Sequence, residues 1–216
     1  MNCTLVWFRR DLRIADHAPL HRAARRGLVV PVFVLDPFLL HHPETAVARV
    51  SFMLKCLQSL DEDLRQRGGR LILRSGNPVQ VLPDLIRATQ ADGIYAYIDY
   101  ERIYGRVRDA QLNQALQRQE LKIRWFEPIG GVPDLISYPQ YRQFWFQDMQ
   151  AELVPTPQQA RQRRVARLEK QRQPFLGKQN VVPFLARLPE RWTPFGSDRI
   201  PAQVGWAKSQ HLSLFP

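Results

Sequence analysis

Apolar residues fall along this chain in two alternating rhythms. Mostly apolar runs at residues 5–8 (LVWF), 28–35 (LVVPVFVL), 70–74 (RLILR), 93–98 (GIYAYI) and 121–126 (LKIRWF) have the length and the β-branched or aromatic content of strands. The run at 28–35 is continuous enough for a strand buried on both faces, as in a parallel sheet. Between the runs the period lengthens to that of a helix. Residues 19–26 open on Pro19 and close at Gly27, both suited to helix ends. In residues 46–67, Val47, Val50, Met53, Leu54, Leu57, Leu60 and Leu64 recur at three- and four-residue steps, and Gly68-Gly69 ends the pattern. Asn77-Pro78 supplies a cap and a first-turn proline for a helix reaching Thr89. A further helix is expected at 105–119. Five strands with intervening helices predict an α/β fold: a five-stranded, parallel, doubly wound, Rossmann-like sheet with right-handed crossovers.

One more amphipathic helix is expected over 138–153. Tyr141, Phe144, Trp145 and Met149 share one of its faces, which fits core or domain packing better than a ligand box. Beyond residues 155–157 (PTP) the periodicity fails. Residues 158–172 are basic enough for a charged helix but have too few apolar positions to bury it.

Composition changes at the same place. The chain has 216 residues and a net charge of +11. Residues 151–216 carry eight of its 17 prolines, with Lys and Arg outnumbering Asp and Glu 11 to 4. An α/β domain at 1–153 is therefore expected, followed by a basic, proline-rich linker or tail at 154–216. The 44% apolar content suffices for a core. Cys3 and Cys56 lie apart in apolar stretches and read as buried small hydrophobes, so neither a disulfide nor a zinc site is expected. The five histidines lack metal spacing. Arg9, Arg10 and Asp11 interrupt the first apolar run, against a signal peptide. No stretch approaches the ~18 apolar residues of a membrane span. A cytoplasmic protein is the expectation.

A parallel sheet gathers its chemistry at one edge, because all strands end on the same side. That edge collects Arg9, Arg10, Asp11 and Arg13 after the first strand, Asp36 after the second, 74–76 (RSG) after the third, and Asp99 and Glu101 after the fourth. Guanidinium groups suit phosphate or acidic groups, and carboxylates accept from ring N–H groups or hydroxyls. The competing reading is mutual pairing, Arg13 with Asp36 or Arg106 with Asp109. No GxGxxG follows the first strand and no GxxxxGK[ST] occurs, so dinucleotide and P-loop readings have no support.

The motif WFRRDLR at 7–13, followed by DHAPL at 16–20, resembles the opening of the photolyase/cryptochrome family. His17 departs from it, standing where the family usually has asparagine. Residues 32–37 (VFVLDP), 49–60 (RVSFMLKCLQSL), 70–78 (RLILRSGNP), 99–109 (DYERIYGRVRD) and 139–145 are also similar to family segments. The resemblance spans about residues 3–153. It implies an N-terminal α/β domain that holds an antenna chromophore, while the catalytic FAD and the lesion pocket belong to a C-terminal helical domain. The present sequence is expected to end before that domain, to hold no FAD and to be non-catalytic alone.

By the same resemblance, Asp99 and Glu101 match an acidic pair that contacts deazaflavin, and Arg9, Arg10, Asp11, Asp36 and Arg106 fall around the pocket. Folate is disfavoured, since Tyr104 and Gly105 stand near positions of its asparagine and glutamate ligands. The leading expectation is a stand-alone antenna domain binding deazaflavin or FMN, with no metal. The alternative is a docking or DNA-binding subunit without its own chromophore, contacting nucleic acid nonspecifically through residues 161–172. Such contacts have dissociation constants on the order of 10⁻⁴ to 10⁻⁶ M. A third is one half of a split deoxyribodipyrimidine photolyase, partnered by a separate FAD-binding helical subunit.

Overall fold

The computed structural model describes residues 2–40, 42, 45–100, 103–128 and 137–162. Strands β1 (Cys3–Phe8), β2 (Leu28–Leu35), β3 (Ile72–Ser75), β4 (Gly93–Tyr97) and β5 (Lys122–Phe126) form one all-parallel sheet in the order β3-β2-β1-β4-β5. Helices α1 (Ala18–Arg26), α2 (Pro37–Leu40), α3 (Val47–Gln66), α4 (Pro78–Thr89), α5 (Ile103–Gln117) and α6 (Tyr138–Met149) complete the order. The chain runs outward from β1 to β3, then returns to place β4 on the other side of β1. With right-handed crossovers, this reversal puts α1 and α3 on one face and α4 and α5 on the other.

Packing follows from the strand alternation. Cys3, Leu5 and Trp7 of β1 join Leu82, Ile86, Leu112 and Leu116 in the core beneath α4 and α5. Phe8 turns to the opposite face, where its ring lies 4.6 Å from that of His17. All six residues of β1 are buried, as expected of the central strand of a sheet covered on both sides. Gly27 is required where α1 hands over to β2, because a Cβ there would meet the Asn2 carbonyl oxygen at 2.4 Å. On α3, Val50, Leu54, Leu57, Leu60 and Leu64 form the buried stripe. Buried Asp61 lies beside it and accepts from the Leu71 N–H at 2.8 Å, joining the helix to the approach of β3.

Two features differ from the sequence expectation. Helix α6 stops at Met149 and has no buried residue. Its aromatic face, with Tyr141, Phe144, Trp145 and Met149, is exposed and is not part of this domain's core. Residues 154–162, assigned by composition to the tail, lie on the α/β domain instead. The Val154 N–H donates to Asp16 Oδ1 at 3.1 Å, Ala160 N–H to the Arg67 carbonyl at 2.8 Å, and Val29 N–H to the Arg161 carbonyl at 2.9 Å. Pro157 and Ala160 are buried. Backbone hydrogen bonding holds this strap, so its lack of apolar periodicity gave no signal. The expected basic segment at 163–172 and the rest of the tail lie outside the described residues. No described helix is long and apolar enough to cross a membrane.

Candidate functional site

The point where the strand order reverses lies between β1 and β4, and in open α/β sheets that is where a crevice opens at the carboxyl ends of the strands. It does so here. A cavity of about 210 Å³ is lined by Arg9, Arg10, Asp11 and Arg13 from the segment after β1, by Tyr97 to Tyr100 at the end of β4, and by Pro128 after β5. This is below the ~300–1,000 Å³ of a site that encloses a whole small molecule. It matches a ring edge or a phosphate group.

Beside the crevice lies a buried charged network that sequence reasoning did not assemble. Arg9 Nη1 donates to Asp109 Oδ2 at 2.7 Å, with both side chains largely shielded. The Arg9 guanidinium lies 4.7 Å from the centre of the Trp7 ring and 5.2 Å from that of Trp125. Arg108 donates through Nη2 and Nε to Asp109 Oδ1 at 3.0 and 3.1 Å. It also lies 3.5 Å from Asp99 Oδ2 and 3.9 Å from Asp36 Oδ2. Asp36 accepts from the Tyr104 hydroxyl at 2.7 Å and from the Phe38 N–H at 3.0 Å, and the rings of Phe38 and Tyr104 stack with centres 4.2 Å apart. Burial and the bond to Asp36 both push the Tyr104 phenol pKa up, so it remains a donor. Gly105 allows a close approach here, since a Cβ would lie 3.0 Å from the Asp99 carboxylate.

One group in this network is left without a partner. Arg9 Nη2 is shielded from water and has no hydrogen-bond acceptor among the described residues. Buried donors are nearly always satisfied, so this group stands out in a residue that lines the crevice.

Asp11, which lines the crevice, is held from behind by the buried His17. The Leu20 N–H donates to His17 Nδ1 at 3.0 Å, capping α1. That leaves the ring proton on Nε2, which lies 2.5 Å from Asp11 Oδ2. Asp11 Oδ1 accepts from the Arg9 N–H at 2.8 Å. Burial acts to raise the Asp11 pKa, but the bond and charge of His17 and the backbone N–H of Arg9 outweigh it and hold the carboxyl below its ordinary range. Tyr97, whose hydroxyl accepts from the Ala18 N–H at 2.9 Å, closes the other side of the histidine ring.

The residues singled out from the sequence therefore divide. Arg9, Arg10, Asp11 and Asp99 line the crevice. Asp36 lies in the buried network with Tyr104 and Arg108, and Arg106 is exposed on α5; neither lines the crevice. Glu101 is outside the described residues. Arg13 meets Asp16, at 3.6 Å, rather than Asp36. Asp109 pairs with Arg9 and Arg108 rather than Arg106. Arg108 was not singled out, and Asp109 only as a partner for Arg106, although a helical period over α5 puts Gly105, Arg108, Asp109, Leu112 and Leu116 on one buried face. Among the described residues, no cluster of three or more His, Cys, Asp or Glu side chains is placed to hold a metal ion.

The geometry has relatives. The DNA photolyase family model matches residues 4–128. A deoxyribodipyrimidine photo-lyase of Synechococcus sp. is 36% identical over 161 residues, covering 71% of this chain and 33% of that protein. The chloroplastic/mitochondrial cryptochrome DASH of Arabidopsis thaliana is 34% identical over 150 residues, covering 61% of this chain and 25% of that one. An archaeal photolyase from Sulfolobus tokodaii, solved with two FAD molecules and discussed in terms of a novel light-harvesting cofactor, superposes with a TM-score of 0.61 at 25% identity. That superposition covers 87% of this chain and 46% of the archaeal one. The chain thus spans a quarter to a third of the length of these two curated relatives. It belongs to the DNA photolyase family.

Proposed function

We propose that this photolyase-family chain is an antenna-type domain that binds a flavin-like chromophore, deazaflavin or FMN, in the crevice between β1 and β4. The observation that carries the reading is the crevice itself, lined by Arg9, Arg10, Arg13 and Asp99, with a shielded Arg9 Nη2 that has no acceptor among the described residues. A ring carbonyl or a phosphate oxygen would satisfy it, and such a charge-assisted bond is among the stronger ones a site can make. Arg10 and Arg13 add positive potential at the mouth, while Asp99 offers acceptors for ring N–H or ribityl hydroxyl groups. The chromophore would supply absorption of visible or near-ultraviolet light. The chain's part is to hold and orient it, and Tyr97, Ile98 and Pro128 give the pocket its less polar surface. Titration of FMN and a deazaflavin into the protein tests this reading.

A second reading is favoured by α6. A helix face presenting Tyr141, Phe144, Trp145 and Met149 to solvent is suited to packing against a further apolar surface. We propose that this face meets a helical FAD-binding domain, carried on the same or a separate polypeptide, and that light-driven DNA repair requires that domain. Repair measured with and without such a partner tests it.

A further inference from the structure

A second, strongly basic concavity lies away from the crevice. A groove of about 490 Å³ runs between α1 and the edge of the sheet, lined by His21, Arg22, Arg25 and Arg26 of α1, Tyr95 of β4 and Arg124 of β5. Among the described residues no carboxylate lines it, and Asp92 acts on Arg26 from outside the lining. Arg22, Arg25 and Arg124 are exposed, and none of the three has an ion-pair partner among the described residues. Arg26 donates to the Tyr95 hydroxyl at 3.2 Å, a contact that strengthens its hold on its proton. Arg124 is steadied by the Phe126 ring, 5.3 Å from its guanidinium carbon. Buried in the lining, His21 Nδ1 has no hydrogen-bond partner.

One wall carries a row of arginines. Arg22, Arg25 and Arg26 stand three and four positions apart and so share one helix face, about 5.4 Å per turn. Arg124 of β5 lines the groove from the sheet side. Four cations around one groove repel one another and lower the stability of the fold unless an anion sits among them. Arginine forks match phosphate oxygens two at a time. An acidic peptide fits less well, because successive side chains of an extended chain point to opposite sides and only alternate carboxylates would enter. A chain of phosphates carries charge at every unit.

We propose that this groove is a second binding site, independent of the crevice, for a ligand carrying consecutive phosphate groups. That chemistry belongs both to small polyphosphate-bearing molecules and to the backbone of a nucleic acid strand. The test uses the full chain with two probes, inorganic tripolyphosphate and a fluorescent oligothymidylate. The variant Arg22→Gln/Arg25→Gln/Arg124→Gln alters only exposed side chains, and an unchanged melting temperature checks that it folds. It should lose at least about tenfold in affinity for whichever probe binds. Three lost phosphate contacts should also flatten the salt dependence for the oligonucleotide by about 2 logarithmic units per decade of salt. The control Arg163→Gln/Arg164→Gln/Arg167→Gln, in the basic tail, should leave groove binding unchanged. If tripolyphosphate binds and displaces the oligonucleotide, the site takes small polyphosphates; if only the oligonucleotide binds, it takes the nucleic-acid backbone. The proposal is overturned if neither probe binds, if the groove variant binds as well as the parent, or if polyglutamate competes as strongly as either probe.

Discussion

Arg9 at the turn after β1 and Asp109 on α5, separated by 100 positions in the chain, meet at 2.7 Å beside the crevice. Asp109 also holds Arg108, which in turn approaches Asp99 and Asp36. Asp109 thus bonds two largely buried guanidinium groups at once. Asp109→Ala should therefore cost about 3–5 kcal/mol, as when one partner of a buried pair is removed. Urea denaturation measures it. A loss below about 1 kcal/mol would place this pair among the solvent-screened ones.

Asp11 gives the fold an acid-sensitive element. Its folded pKa lies below the ordinary 3.8. The stabilisation it gains from His17 and the Arg9 N–H is therefore fully present above that ordinary value and is lost as pH falls through the folded pKa. Asp11→Asn should be less stable than the parent by about 1.5–3 kcal/mol at neutral pH. The gap should close in strong acid. A pH-independent gap would show that packing, not charge, sets the effect.

His17→Asn tests the same contact from the other side. Asparagine retains the helix-capping acceptor, whose loss alone costs about 0.5–2 kcal/mol, but its shorter side chain withdraws from Asp11. The variant should keep α1 intact by circular dichroism while shifting acid unfolding to higher pH. Acid unfolding at the parent's pH would remove His17 as the source of the lowered Asp11 pKa.

The strap at 154–162 should protect its own backbone from proteases. Trypsin is expected to cut the basic segment beyond Gln162 first and to spare the bond after Arg161, whose carbonyl accepts from Val29. Gly69→Ala places a Cβ 2.8 Å from the Ala160 carbonyl oxygen. It should loosen the strap and expose the Arg161 site. Equal cleavage at Arg161 in both proteins would mean that the strap does not hold in solution.

Much of the sheet could be read directly. β2 occupies the residues expected of it, because a run buried on both faces is continuous in sequence and is bracketed by Gly27 and Asp36-Pro37. The Asn77 cap and the Pro78 start of α4 follow from local chemistry alone, Asn77 accepting from the Val79 N–H at 2.9 Å. The gathering of charged residues at the strand ends could also be read, and Arg9, Arg10, Asp11 and Asp99 do line one crevice there. Arg108 and Asp109 could not be read so easily, since a charged pair on a helix ordinarily faces water and here faces inward only because Arg9 and Asp99 meet it there. The strap was hidden for a related reason. Its bonds run through main-chain groups that every residue carries.

The central claim is tested most directly by calorimetric titration of FMN and a deazaflavin into the full chain, beside the Asp99→Ala and Arg9→Gln variants. The account predicts saturable, one-to-one binding of at least one of the two, weakened about tenfold or more in each variant, since one charge-assisted bond is worth about 1.5–3 kcal/mol. Thermal melts of the same samples separate binding from stability. Asp99→Ala should melt close to the parent, because Asp109 still compensates Arg108. No saturable binding of either flavin, or binding unchanged in both variants, would contradict it.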